Sequence, residues 1–271
     1  MFPQIREFLV SGVRSGLRGR SIQVTFVLGL VLIAFAYLTA NFSPRQPTTI
    51  ALDSGFSAVR FTVVLLVLFW IQELLTREID RKVILHSLAL PVSRASYLIG
   101  RYLAVVCLAA ISIAILGACL LLAVHLASPN YEQGFPVSLG LPYWSVLLGI
   151  AFDVAVVAAF ATAIAIISTV PVMPLAMGAA FAIAGKALGA SVDYIARGAD
   201  GDVAFASNLG SYLDVIRWLI PDLSRLDWRD WALYGAAPSM ESVTWAVIMA
   251  GSYVVVAVGL GIHFLQKREF S

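Results

Sequence analysis

Residues 77–104 read REIDRKVILHSLALPVSRASYLIGRYLA. This stretch joins two long apolar runs, and its reading decides how the chain is threaded. It opens with mixed charge, continues through a half-apolar segment, and closes on Pro91, Ser93 and Arg94. Ile84, Leu85 and Leu88 share one side of a short helix, with Arg81, Lys82 and His86 elsewhere. Pro91 ends that helix, because the residue before a proline is pushed out of helical geometry. Ser93 then stands where its hydroxyl can cap the next helix. The stretch therefore reads as a short helix lying across the polar end of two long apolar helices, with apolar side chains left facing outward.

The rest of the chain agrees with a membrane setting. Of 271 residues, 60% are hydrophobic and 13% charged, about half the charged share of a soluble domain. A span needs about 20 apolar residues. Six runs qualify: 22–42, 57–75, 97–127, 144–170, 172–190 and 243–265. The fourth and fifth are separated only by TVPVMP (169–174), where Pro171 and Pro174 break the helix and leave a tight turn. No cleavable signal peptide is expected, since the first apolar run is long enough to span and lies behind a charged segment. Cys107 and Cys119 fall twelve residues apart in one run, or about 18 Å along a helix, too far for a disulfide.

Lysine and arginine placement sets the orientation. With the N-terminus in the cytoplasm, the inner segments carry eleven basic and five acidic residues, and the outer segments and outer helix ends seven basic and ten acidic. Both termini are then cytoplasmic. The formal net charge of +2 gives no reason to expect a nucleic-acid partner. Residues 1–20 are not a span. Phe2, Ile5, Phe8, Leu9, Val13 and Leu17 recur at helical spacing, with Arg6, Arg14 and Arg18 on other faces. This predicts an amphipathic helix at the inner interface, serving as a lipid anchor, as a contact surface for a cytoplasmic partner, or as both. The outer segment 191–242 predicts two short helices, belt aromatics at Trp218, Trp228, Trp231 and Tyr234, and a solvated rim of Asp222, Arg225, Asp227, Arg229 and Asp230.

No catalytic or metal-binding motif is present. The three histidines, His86, His125 and His263, are far apart, and DGD at 200–202 lacks the rest of a calcium loop. GKALG at 185–189 is not a phosphate loop; Gly185 and Gly189 instead permit close packing. Asp153 is a carboxylate inside a span, GIAFDVAVVAAF (149–160), and such a residue is a functional-site candidate by default. Measured from the turn at Pro171, Asp153 and Lys186 stand about 27 and 22 Å up antiparallel helices, so they are expected to pair. The alternatives are that Asp153 lines a transport path or reaches outer water.

The opening stretch resembles the coupling region of permease subunits of type-2 ABC exporters. That family shows an acidic residue, a short apolar helix, a Pro-x-Ser-Arg turn, an aliphatic pair and Gly-Lys. Here these fall on Glu78, Ile84, Leu85, Leu88, Pro91, Ser93, Arg94, Leu98 and Gly100, with Arg101 for the usual lysine. Arg81-Lys82 replaces a frequent Gly-Thr. The resemblance extends over nearly the whole chain. It implies an all-α, polytopic single transmembrane domain (1–271): six transmembrane helices, the interfacial helix (1–20), a cytoplasmic coupling region (77–94) and short outer helices within 191–242. It further implies a multi-pass protein of the bacterial inner membrane that is not itself an enzyme and binds no cofactor. ATP and magnesium would sit on two copies of a cytoplasmic ABC ATPase. A second permease subunit, as a homodimer, would complete the path. A non-transporting membrane scaffold and a secondary transporter are the rival readings.

Overall fold

The computed structural model describes residues 2–42, 46–80, 93–127, 137–196 and 220–268, and every element among them is helical. The first helix, α1, runs Phe2–Gly16, and α2 runs Arg20–Asn41. The next rod, α3, covers Pro47–Asp80: an α-helix to Ile71, a π-helical turn over Gln72–Thr76 and a last α turn over Arg77–Asp80. Then follow α4 (Arg94–Leu126), α5 (Leu141–Ile167) and α6 (Met173–Ala196). A 3₁₀ turn at Leu223–Leu226, a short α7 (Arg229–Tyr234) and a long α8 (Met240–Lys267) complete the chain.

Local chemistry sets these boundaries. Pro47 and Pro142 occupy the first helical turns of α3 and α5, where a missing N–H costs nothing. Ser93 and Ser239 cap α4 and α8 by accepting from the backbone N–H of Ser96 and Ser242, so the cap expected at Ser93 is present. Gly235, at φ 72°, closes α7 in the left-handed conformation, which favours glycine. The α5–α6 turn falls at 168–172 as the prolines predict, and the Ser168 hydroxyl accepts there from Val170 N–H at 3.0 Å.

Among the described residues, five helices are long and apolar enough to cross a membrane: α2, α3, α4, α5 and α8. Within α6 the qualifying apolar stretch, Met173–Gly189, is shorter. All six sequence runs fall on helices, but α3 starts at Pro47, ten residues before the expected 57. Asp53 and Arg60 interrupt the apolar pattern there, and both are carried inside the helix by partners on other elements. The most enclosed spans are α3 and α5, while α2 and α8 keep much of their apolar surface outward. Trp70, Phe56, Tyr97 and Tyr143 are the bulkiest fully buried side chains. The Tyr143 hydroxyl donates to Gly117 O at 2.5 Å, and Phe160 stacks on Phe181 at 4.1 Å.

The amphipathic helix expected at the N-terminus is α1, and it packs along the start of α4. Glycines make this approach possible. A Cβ at Gly12 would lie 2.6 Å from Ala104 Cβ, and one at Gly100 would lie 2.6 Å from Phe8 Cβ and 3.0 Å from Ile5 O. The Trp70 indole donates to Gly16 O at 2.9 Å. Leu9 is half-buried, and Arg6, Arg14 and Arg18 point away from the bundle. Gly100→Val should therefore lift α1 off α4, at an overpacking cost of about 1–3 kcal/mol. The expected result is a lower Tm and faster trypsin cleavage after Arg14 and Arg18; unchanged cleavage would mean that this contact does not hold α1.

Candidate functional site

Two sets of paired charges, one around buried Arg101 and one around buried Asp153, stand at opposite ends of the bundle. The first frames the stretch from which the sequence reading started. After the π turn, which offsets the helical register by one residue, Glu78 points back into the bundle. It accepts a hydrogen bond from Tyr97 Oη at 2.7 Å and forms an ion pair with Arg101. The Arg101 side chain is only 8% exposed. Its guanidinium lies 5.7 Å from the Tyr97 ring centroid, and Phe8 of α1 meets that ring edge-on at 5.2 Å. Burial and low dielectric make such a pair costly to break, about 3–5 kcal/mol when one partner is removed. Arg101 Nε and Nη1 have no hydrogen-bond partner among the described residues.

Arg94 opens α4 and reaches the far end of α8. Its Nη1 donates to Leu265 O at 2.8 Å, Gln266 O at 3.0 Å and Arg268 O at 3.1 Å. Carbonyls at a helix C-terminus lack intrahelical donors, and a cation there also meets the negative end of the helix dipole. Thus Glu78 and Arg94, two of the sequence candidates, tie α3, α4 and α8 together on either side of 81–92. Arg81, Ile84, Leu85, Leu88 and Pro91 lie outside the described residues, and the side chain of Phe2 does too. The structure adds Tyr97 and Arg101 to this site. The Arg101 substitution was visible in the motif, whereas Tyr97 carried no signal beyond its position one turn before it.

The second set corrects the expected Asp153–Lys186 pair. Asp153 is ion-paired with Arg60 of α3, and Lys186 with Asp227, which follows the 3₁₀ turn. Arg60 also donates to Ala182 O at 3.3 Å. Arg229 bonds Asp227 at 2.9 Å and Asp53 at 2.7 Å. The order Asp53, Arg229, Asp227, Lys186, Asp153, Arg60 alternates in sign, starting from an exposed carboxylate and ending on the pair of Arg60 with Asp153, whose side chain is 3% exposed. The depth estimate put Asp153 and Lys186 at a common level, and each lies within electrostatic reach of the other. Their faces differ, so each takes a nearer partner. Asp227 and Arg229 are accordingly not a solvated rim, and Trp228, 7% exposed, is a core residue and not a belt residue. The second Asp153 oxygen, Oδ1, is buried with no hydrogen-bond partner among the described residues.

Gly185 and Gly189 make this end close-packed, as their spacing predicts, but against the 3₁₀ segment and not a helix. A Cβ at Gly185 would meet Leu223 Cδ1 at 2.6 Å, and one at Gly189 would meet Ser224 Cβ at 2.6 Å. Burial pushes the Asp227 carboxyl up, but Lys186 and Arg229 outweigh it and hold the group below the usual carboxylate range.

Two predictions follow from these pairings. Arg60→Met and Asp153→Asn should each lower stability in detergent, and the double variant should recover part of the loss, with a coupling of about 0.5–3 kcal/mol. A cycle on Asp153 and Lys186 should give a smaller coupling, and the reverse ranking would restore the pairing first expected. A depressed folded-state pKa stabilises above the unfolded value of about 3.9 and is lost as pH falls through the folded one. Acid unfolding of Asp227→Asn should therefore be less steep below about pH 4 than that of the wild type; identical acid limbs would exclude Asp227 as a contributor.

No protein-family model matches the chain, and no curated protein matches it.

Proposed function

We propose that this chain is the membrane-spanning permease subunit of an ATP-driven ABC transporter of the type-2 exporter class. The observation that carries the reading is the framing of 77–94. The Glu78–Tyr97–Arg101 cluster and the Arg94 clamp fix both ends of the short segment to three long helices. A push on that segment would be delivered to α3 and α4 and not dissipated in a loop. The docked α1, with its arginines outward, adds a basic surface on the same side.

In this reading α6 is the fifth of six spans, α8 is the sixth, and both termini are cytoplasmic. Residues 77–94 form the cytoplasmic coupling region, and two permease subunits form the path. Two copies of a cytoplasmic ABC ATPase hold ATP and magnesium, and each grips one coupling helix through Ile84, Leu85 and Leu88. Closure of the ATPase pair moves the helix, and the buried ion cluster passes the motion into the bundle.

The test is co-purification with an ABC ATPase and stimulation of its hydrolysis in proteoliposomes. The wild type should do both. Ile84→Asp or Leu88→Asp places a charge in a desolvated contact, which costs several kcal/mol when unpaired. Those variants should insert normally and lose the stimulation. Hydrolysis that still responds to the permease would move the contact elsewhere. Cysteines at Ser87 and Ser207, in a background lacking Cys107 and Cys119, should label from opposite sides; labelling from one side would overturn the six-span topology.

A further inference from the structure

At the end of the bundle opposite α1, a cavity of about 420 Å³ opens between the 3₁₀ segment and the first turns of α8. Its wall holds one available charge of each sign. Arg225 is 59% exposed and touches Asp222 at 3.4 Å, and Glu241 is exposed in the first turn of α8. The third ionised group, Asp227, is already held by Lys186 and Arg229. Two tryptophans complete the lining. The indole N–H of Trp228 is committed to Arg225 O at 3.1 Å, so that ring is a fixed buried wall. Trp245 stands one turn beyond Glu241 on the same helix face and is 59% exposed.

We propose that this cavity binds the headgroup of a zwitterionic aminophospholipid. The phosphate pairs with Arg225, with the Ser242 hydroxyl as a further donor. The primary ammonium pairs with Glu241 and lies against the Trp245 ring, where a cation is attracted to the π face. An anionic lipid without an amine leaves Glu241 unmatched, and a choline headgroup offers it no N–H. The lipid source is argued from what lies beyond the cavity. Glu241, Trp245, Ile248, Ser252 and Val255 follow one stripe of α8, and Ile248 and Val255 are 53% and 72% exposed. A headgroup seated in the cavity lays its acyl chains along that stripe. Trp245 sits where the stripe meets the polar end, the level at which tryptophan is enriched in membrane proteins. The proposal does not depend on ATP-driven transport.

Native mass spectrometry of the full chain in detergent, titrated with phosphatidylethanolamine, phosphatidylglycerol or phosphatidylcholine of matched chains, tests this. Phosphatidylethanolamine should bind about fivefold more tightly than the other two, the upper end of what an exposed ion pair supplies. Glu241→Gln should abolish that preference, Arg225→Ala should weaken all three lipids alike, and Glu241→Lys should turn the preference toward phosphatidylglycerol. Thermal unfolding of the variants should match the wild type, since both side chains are exposed. Equal binding of the three lipids, a preference unmoved by the Glu241 substitutions, or affinities unmoved by Arg225→Ala would overturn the proposal. Glycerophosphoethanolamine, which lacks acyl chains, should compete poorly; binding as tight as the lipid's would assign the cavity to a soluble phosphoamine instead.

Discussion

The half-buried Glu78 carboxylate, held by Tyr97 and Arg101, is the contact on which the architecture of the α1 end depends. A lone carboxylate among apolar helices costs several kcal/mol, so its partners must be in place for the bundle to close. Tyr97 is fully buried and receives Phe8 on its edge, so the same cluster also seats α1. The π turn just before Glu78 belongs to this arrangement. Without its extra residue the carboxylate would face about 100° around the helix, away from α4. Arg94 works at the opposite edge by occupying the carbonyls that end α8. The consequence is a rigid frame on both sides of 81–92.

At the other end, the alternating chain from Asp53 to Arg60 solves a different problem. The segment after α6 has to return over the bundle and hold against it. Glycines at 185 and 189 bring its backbone close, and Lys186 and Arg229 grip Asp227 from two sides. Each charge is offset by a neighbour of opposite sign, so polar groups reach deep between α3, α5 and α6 without a lone ion being stranded. The arrangement fixes the relative positions of those helices, while α2 and α8 stay peripheral with apolar faces outward.

Much of the fold was legible in the sequence because its signals are local. Apolar runs located the helices, Pro171 marked the α5–α6 turn, Ser93 announced a cap, and the periodicity of 2–19 gave α1. The early start of α3 was hidden, because hydropathy treats Asp53 and Arg60 as interruptions. Their partners lie 176 and 93 residues away, and no window of sequence encodes such a meeting. The Asp153 reading failed in the same way. Counting residues from the turn gave its depth, but depth leaves the angle around the helix axis open, and that angle selected Arg60. Glu78 was found as the acidic residue that the resembled motif sets before its short apolar helix, whereas the role of Tyr97 emerged only once α3 and α4 were side by side.

The central claim is that the Glu78–Arg101 pair carries force between the 77–94 region and the bundle. A double-mutant cycle with Glu78→Gln and Arg101→Gln, read as ATPase stimulation in proteoliposomes alongside ATPase binding, tests it most directly. The account predicts that each single variant still binds the ATPase but loses stimulation, and that the double variant is no worse than either single, since residues acting as one unit are non-additive. Full stimulation in both single variants, or losses that simply add, would contradict it.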